Sequence, residues 1–275
     1  MAPRAQQSMH SLETAMSNKT LPPIRSSIAW SNAQTINIHR LDLCNDLLGK
    51  VDLGDMAFLQ LCRRLPTKNE SIVFNSLLVS LVEHGITANT ISARLTLLGA
   101  PESLQGAVAA GLLGLGSTFV GTIEGAARLV AENPLASKEP AAVALQAEGI
   151  LAKYIVSGEP VPGIGHPIHK PLDPRAERLF EIAREQGLDT DGELLIRAVS
   201  RAAEQHFKRV LPVNVTGAIG SITTTLGLPW RITRGLGVMA RSIGIVGHLL
   251  EEMQQPIAKS IWYHAEEQAE SEFKS

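Results

Sequence analysis

The sequence predicts an all-α protein. Amphipathic runs with apolar residues spaced at three and four recur from Met56 onward. Helix start and stop residues bracket most of those runs. No strand–helix–strand alternation and no repeat at a solenoid period breaks the series.

Each run has a local reason. "MAFLQLCRRLP" (Met56–Pro66) is amphipathic and stops at a proline, which cannot continue a helix. "NESIVFNSLLVSLVEHG" (Asn69–Gly85) has a cap-like start and a glycine stop. "TANTISARLTLLGA" follows, and "PESLQGAVAAGLLGLG" places a proline in its first turn. "STFVGTIEGAARLVAEN" resumes after a glycine break, and "EPAAVALQAEGILAKYIVSG" is a further amphipathic run. "DPRAERLFEIAREQGL" and "DGELLIRAVSRAAEQHFKR" each open on Asp, a good cap. "LPVNVTGAIGSITTTLGLPW" leads to "RITRGLGVMARSIGIVGHLLEEMQ" and then a polar tail. Only "SSIAWS" to "QTINIHR" and "VLPVNV" read as strands.

Composition narrows the class. With 275 residues, 44% hydrophobic and 19% charged, the chain can bury a sizeable core. A net charge of −2 gives no electrostatic reason to expect nucleic acid or an anionic membrane as partner. Cys44 and Cys62 make neither a disulfide framework nor a metal cluster, and they fit a reducing cytoplasm. The first residues, "MAPRAQQSMHSLETAMSNKTLPPIRSS", are polar and read as a flexible arm to about Ser27, not as a signal peptide. The apolar stretch Gly106–Val120 is shorter than the roughly 20 residues of a membrane span and reads as a tightly packed buried helix. Its small residues (Ala109, Ala110, Gly111, Gly114, Gly116) serve close helix packing or close approach of a ligand, and sequence does not separate the two.

Three places carry chemistry. In "VPGIGHPIHKPLDPRAERL", Gly163 and Gly165 permit positive φ and close backbone approach, and His166 follows on a loop. Asp173 and Pro174 open a helix, which puts Arg175 beside its N-terminus with a guanidinium suited to a carboxylate. A surface turn with an incidental histidine is the other reading. His84, in "LVEHGITANT", ends an apolar helix, where an imidazole is either functional or a charge–dipole contact. Arg241, in "VMARSIGIVGHLL", either seeks a carboxylate inside an apolar helix or lies on that helix's solvated face. No Walker loop, GxGxxG after a strand, HExxH or GxSxG occurs, so metal catalysis and nucleotide hydrolysis lack support.

These segments together resemble the citrate synthase superfamily, and more closely its short members, the citryl-CoA lyases and the citrate-cleaving C-terminal part of ATP-citrate lyase. The resemblance runs from about Leu59 to His264. "LVEHGITANTISAR" is similar to the family's substrate-histidine segment, and "GLLGLGSTFVGTIEGAARLV" to the Gly-rich helix pair after it. "VPGIGHPIHKPLDPRAERL" resembles the G-x-G-H…DPR signature, "LPVNVTGAIG" the PNVD segment, and "GLGVMARSIGIVGHLLEE" the C-terminal arginine helix.

The resemblance implies a fold with a large helical domain (28–127 plus 226–275) and a smaller inserted helical domain (128–225), after the arm 1–27. It implies a likeness to enzymes that make or cleave a C–C bond between acetyl-CoA and an oxoacid such as oxaloacetate. There is no permanently bound cofactor and no metal in that chemistry; a coenzyme A thioester is the substrate, and a homodimer is the expected assembly. By match, His84 and His166 contact substrate hydroxyl and carbonyl oxygens, and Arg175 and Arg241 bind its carboxylates. Val161, Pro162, Gly163, Ile164 and Gly165 lie against the CoA adenine.

Three departures stand out. Phe119 occupies a position where synthases carry His and the ATP-citrate lyase pattern carries Phe, which favours the lyase branch. Thr216 stands at the catalytic Asp of the PNVD segment, and a hydroxyl is no general base at neutral pH. Tyr263 matches a substrate arginine that relatives donate across the dimer. A base from Glu83, His169 or Glu124, a less charged 3-hydroxyacyl-CoA as substrate, or an acyl-CoA-binding paralogue without catalysis each accommodate these changes.

Overall fold

A computed structural model describes residues 24–166 and 168–273. Most of the expected N-terminal arm therefore lies outside the described residues. Contacts divide the chain into two compact units, Met1–Val51 and Asp52–Ser275.

The described part of the first unit is a small antiparallel sheet. Strands β1 (Ala29–Ser31), β2 (Ile36–Ile38) and β3 (Leu41–Asp42) follow in spatial order, with Ala29 opposite Ile38 and Asn37 opposite Asp42. Asn32 closes the first turn by accepting the amides of Gln34 and Thr35, both at 2.8 Å. Asp42 caps α1, a single π-type turn (Leu43–Leu47), by accepting from the amides of Cys44 and Asn45.

The second unit is helical. Its elements are α2 (Leu53–Cys62), α3 (Lys68–Val82), α4 (Ala88–Gly99), α5 (Leu104–Leu113), α6 (Gly121–Ala131), α7 (Pro140–Ser157), α8 (Pro174–Glu185), α9 (Asp191–Phe207), α10 (Val215–Thr225), α11 (Arg234–Gln254) and α12 (Ala258–Glu270). The all-α expectation thus holds.

Local chemistry explains the ends. Thr67 and Glu70 exchange hydrogen bonds across the start of α3, a capping box. Arg64 grips the same glutamate at 2.6 Å and holds its carboxyl down to about 2. Prolines sit in the first turns of α7 and α8, where a missing N–H costs nothing.

The core gathers Phe58, Phe74, Leu77, Ile123, Phe180, Ile196, Ile219 and Leu236, all essentially inaccessible to solvent. Helix α10 runs through it, buried from Val215 to Thr223 except at Thr216. Its buried hydroxyls are satisfied by its own carbonyls: Ser221 donates to Gly217 and Thr223 to Gly220, both at 2.8 Å. A Cβ on Gly220 would come within 2.7 Å of the Ala127 amide nitrogen, so α10 meets α6 backbone to backbone.

One expectation is corrected. Gly106–Val120 is not one buried helix: α5 ends at Leu113, and residues 114–120 form turns closed by bonds such as Val120 N–H to Gly116 O, at 3.2 Å. Leu113 (86%) and Phe119 (45%) are exposed there. Two glycines raise the cost of extending the helix, and apolar content alone does not decide it. Within the polar tail beyond Gln254, α12 occupies Ala258–Glu270. Among the described residues, no helix is long and apolar enough to cross a membrane.

Candidate functional site

Helix α3 ends at Val82, and Gly85, at φ +75°, turns the chain. The Glu83 carboxylate splints that turn: its Oε1 accepts from the amides of His84 (2.8 Å) and Gly85 (2.6 Å) and from His248 Nε2 (3.0 Å). His248 has a defined role. Its Nδ1 lies 2.8 Å from Arg94 Nη2, which only donates, so Nδ1 accepts and Nε2 carries the hydrogen toward Glu83. Burial pushes the Glu83 carboxyl up, but the His248 bond and the two amides outweigh it and hold it below its ordinary value. Arg94 is fully buried and also pairs with Glu252 at 2.8 Å and with Glu251. The turn that displays His84 is therefore tied to α4 and α11.

A second loop supplies His166. Gly163 and Gly165 have φ of +80° and +86°. Ile164 bridges to Val213, the Gly165 amide donates to Pro212 O (2.7 Å), and the Asn214 side chain donates to Gly165 O (2.8 Å). A Cβ on Gly163 would come within 2.5 Å of Gly217 Cα, so the loop lies directly on the start of α10.

His166 Nδ1 accepts from the amides of Ile168 (3.1 Å) and His169 (2.9 Å). A nitrogen accepting two N–H groups carries no proton, so the neutral ring presents Nε2–H as a donor. Burial, then the His169 ring, lower the pKa of His166, with Asp173 opposing and Arg175 and His84 adding to the fall. Nε2 sits 3.3 Å from Arg175 Nη2; with both atoms donors, they do not hydrogen-bond to each other, and both are available to one shared acceptor.

Asp173 is fully buried at the cap of α8 and accepts from Arg175 N (3.1 Å), Nε (3.1 Å) and Nη2 (2.9 Å) and from the Val215 amide (3.0 Å). Burial would raise its carboxyl, but these donors hold it below its ordinary value. Arg175 thus has an internal carboxylate partner, though its side chain still reaches the cavity. Asn214 caps α10, accepting from the amides of Thr216 and Gly217 and from the Thr216 hydroxyl at 2.7 Å.

His84, Phe119, His166, Arg175, Thr216 and Arg241 line one cavity of about 330 Å³, together with Ser80, Thr87, Asn89, Thr118 and Asn214. The Arg241 guanidinium hangs from α11, and its Nη1 is buried without a hydrogen-bond partner among the described residues. Burial pushes its pKa down, with Glu83 opposing. A buried guanidinium N–H without an acceptor is costly, and an anionic ligand is the natural remedy. The start of α10 adds the positive end of a helix dipole. The arrangement suits a ligand rich in carbonyl and carboxylate oxygens.

Other expected residues lie elsewhere. Val161 and Ile164 line a separate 110 Å³ cavity with Tyr154, Phe207 and Arg209. Tyr263 is half exposed on α12, beside Trp262 and Lys259. Glu124 pairs with Arg234 at 3.0 Å, outside the cavity lining. His169 stacks on His166, ring centroids 4.4 Å apart, and serves it through its amide. Sequence reasoning missed Asn89. It is 2% exposed, its Oδ1 accepts from the Thr87 hydroxyl, and its Nδ2 has no partner. An Asn in the first turn of a helix looks like a cap, so only placement identifies it. A larger groove of about 530 Å³ between α3 and α8 is mostly apolar; Arg178, its other cation besides Arg175, is paired with Glu181 and Glu185.

A family model for the citrate synthase C-terminal domain matches residues 32–262. Citrate synthase 2 of Bacillus subtilis (strain 168) is 25% identical over 191 residues, 68% of this chain but 48% of that synthase, so the chain spans less than half its length. Among solved structures, citryl-CoA lyase from Hydrogenobacter thermophilus superposes with a TM-score of 0.77 at 31% identity, covering 85% of this chain and 88% of the lyase. ATP citrate lyase from Methanothrix soehngenii, in complex with citrate and coenzyme A, gives 0.70 at 21% identity, covering 92% of this chain and 42% of that one.

Proposed function

Because the chain belongs to the citrate synthase family, we propose that it makes or cleaves the C–C bond between acetyl-CoA and an oxoacid such as oxaloacetate, in the manner of a citryl-CoA lyase. The observation that carries this reading is the buried, unpartnered Arg241 Nη1 in a cavity that also holds His84, His166 and Arg175. That set is chemically suited to a carboxylate-bearing hydroxyacyl thioester.

In the cleavage direction, a base takes the proton of the substrate's tertiary hydroxyl. The C–C bond breaks as the hydroxyl carbon becomes a carbonyl, and its electron pair passes into the thioester enolate. The enolate carbon then takes up a proton, giving acetyl-CoA. His84 and His166 face the substrate's hydroxyl and carbonyl oxygens, His166 through Nε2–H. Arg175 and Arg241 hold carboxylates. The loop 161–165 receives the CoA adenine; its positive-φ glycines suit close backbone approach. The coenzyme A ester is substrate, and the reaction needs no resident cofactor.

The larger domain 28–127 plus 226–275 and the smaller domain 128–225 close on the ligand in this reading, excluding water from the enolate. A second copy of the chain completes the assembly, covering exposed apolar side chains such as Val79, Ile243, Val246 and Leu250, and Tyr263 takes the place of the arginine relatives send across. The compartment is the cytoplasm, in keeping with two free cysteines.

Incubation with citryl-CoA is the test, with release of acetyl-CoA and oxaloacetate as the expected result. One observation favours a second reading: among the described residues no acidic side chain lines the cavity. It suits a chain that binds acyl-CoA without catalysis, or a lyase for another 3-hydroxyacyl-CoA. CoA-ester binding by calorimetry without turnover would support the former. Turnover of other esters with citryl-CoA inert would support the latter.

A further inference from the structure

Among the described residues lining the cavity there is no Asp, Glu, Lys, Cys or Tyr, leaving two imidazoles as the titratable groups besides Arg175 and Arg241. His166 is committed as a donor, because two amides occupy its Nδ1. The Thr216 hydroxyl donates to Asn214.

The nearby carboxylates are hydrogen-bonded or ion-paired, and none of them lines the cavity. Asp173 takes four N–H groups, and Glu83 Oε1 takes three while standing outside the lining. Glu124 is paired with Arg234. The His84 ring alone has no hydrogen bond to another described residue, is exposed, and is held at the cavity by a splinted backbone.

We propose that His84 is the general base of this chain, replacing the carboxylate that Thr216 cannot supply. The proposal rests on the lyase reading above. A ring nitrogen of His84 takes the hydroxyl proton of the 3-hydroxyacyl-CoA. The C–C electron pair moves into the thioester enolate, and the imidazolium returns the proton to the enolate carbon. Substrate and products balance, and the imidazole is regenerated. Imidazole suits this task because its ordinary pKa lies close to neutral. His166 serves the opposite need as a fixed donor to an oxygen. The charged and titratable groups around His84 are Glu83 at its own helix end, Arg241 and His248 from α11, and His166 and Arg175 from the loop and the start of α8.

The test compares citryl-CoA turnover by the wild type, His84→Ala and His84→Gln. Loss of the base lowers kcat on the order of 10²–10⁴-fold. Added imidazole restores part of the rate to His84→Ala, and a series of substituted imidazoles restores it in proportion to basicity. The His84→Ala/Thr216→Asp double variant regains activity over His84→Ala. A His84→Ala kcat within tenfold of wild type overturns the proposal and points to a carboxylate from a partner subunit. A loss confined to KM also overturns it, because His84 then only binds. These results leave the lyase reading standing, whereas a wild type inert toward citryl-CoA and other 3-hydroxyacyl-CoA esters overturns both. His84 lies on an exposed turn past the end of α3, so both single variants fold, which thermal melting verifies.

Discussion

At the scale of single residues, Arg241 and Asn89 show what burial does to function. Each holds a buried nitrogen without a hydrogen-bond partner, and both line the same cavity. Such groups cost stability, so their persistence points to a ligand. Arg241→Gln is therefore expected to lower kcat/KM for a citryl-type ester by roughly 10–100-fold, the loss of one charge-assisted hydrogen bond of about 1.5–3 kcal/mol. The same change leaves the melting temperature level or raises it. A fall in melting temperature with unchanged kinetics would make Arg241 a structural residue. Arg241 was visible in the sequence as a cation inside an apolar helix. Asn89 was not, because nothing in "TANTISAR" separates a cap from a cavity wall.

At the scale of elements, the site is a junction of helix ends. The C-terminus of α3 carries His84, the starts of α8 and α10 carry Arg175 and Thr216, and the glycine loop joins the latter two. Asp173 ties the starts of α8 and α10 together by accepting from both Arg175 and the Val215 amide. Gly217 and Gly163 lie so close that a Cβ on Gly217 would collide with the Gly163 carbonyl. Gly217→Ala should destabilise by about 1–3 kcal/mol, since backbone cannot yield as a side chain does. It should also raise KM for CoA esters, because it moves the loop that carries Gly165 and His166. Denaturant melts and kinetics on the same sample check both; an unchanged melt would show that the loop is not seated on α10. The glycine pair and the Asp-Pro-Arg start were legible in sequence. The exposed turns after Leu113 and the helix α12 were not, because apolar content and polarity report burial poorly where glycine spacing and packing decide.

At the scale of the whole molecule, buried charge governs the response to pH and to mutation. Arg94 is fully buried and pairs with Glu252, itself 5% exposed. Arg94→Met takes from that buried carboxylate its only cation among the described residues, leaving it the amides of Ile257 and Ala258, and is expected to cost about 3–5 kcal/mol in chemical denaturation. A loss under 1 kcal/mol would show that those two amides suffice for Glu252. Glu70, at about 2, and Glu83, Asp173 and Glu252 are all held below their ordinary values. A depressed carboxyl stabilises the fold above its unfolded pKa and loses that contribution as pH falls through its folded one. His166, also depressed, is neutral in the fold, so its contribution too is present at higher pH and lost on acidification. Melting temperature should therefore fall as pH drops below the imidazole range, and most steeply from about 4.5 toward 2. A flat profile across that range would contradict these assignments.

The sequence by itself determined the helical class, most helix boundaries and the membership in the citrate synthase family. Those follow from periodicity, caps and ordered motifs, which are local. Only the tertiary structure decided which side chains share a cavity, which nitrogen of His166 is free to donate, and that no described carboxylate reaches the space beside Thr216. Such facts depend on contacts between segments far apart in the chain, as between Glu83 and His248 or Asn214 and Gly165. Hydrogen-bond partners set protonation and tautomer, and partners across that distance are chosen by packing.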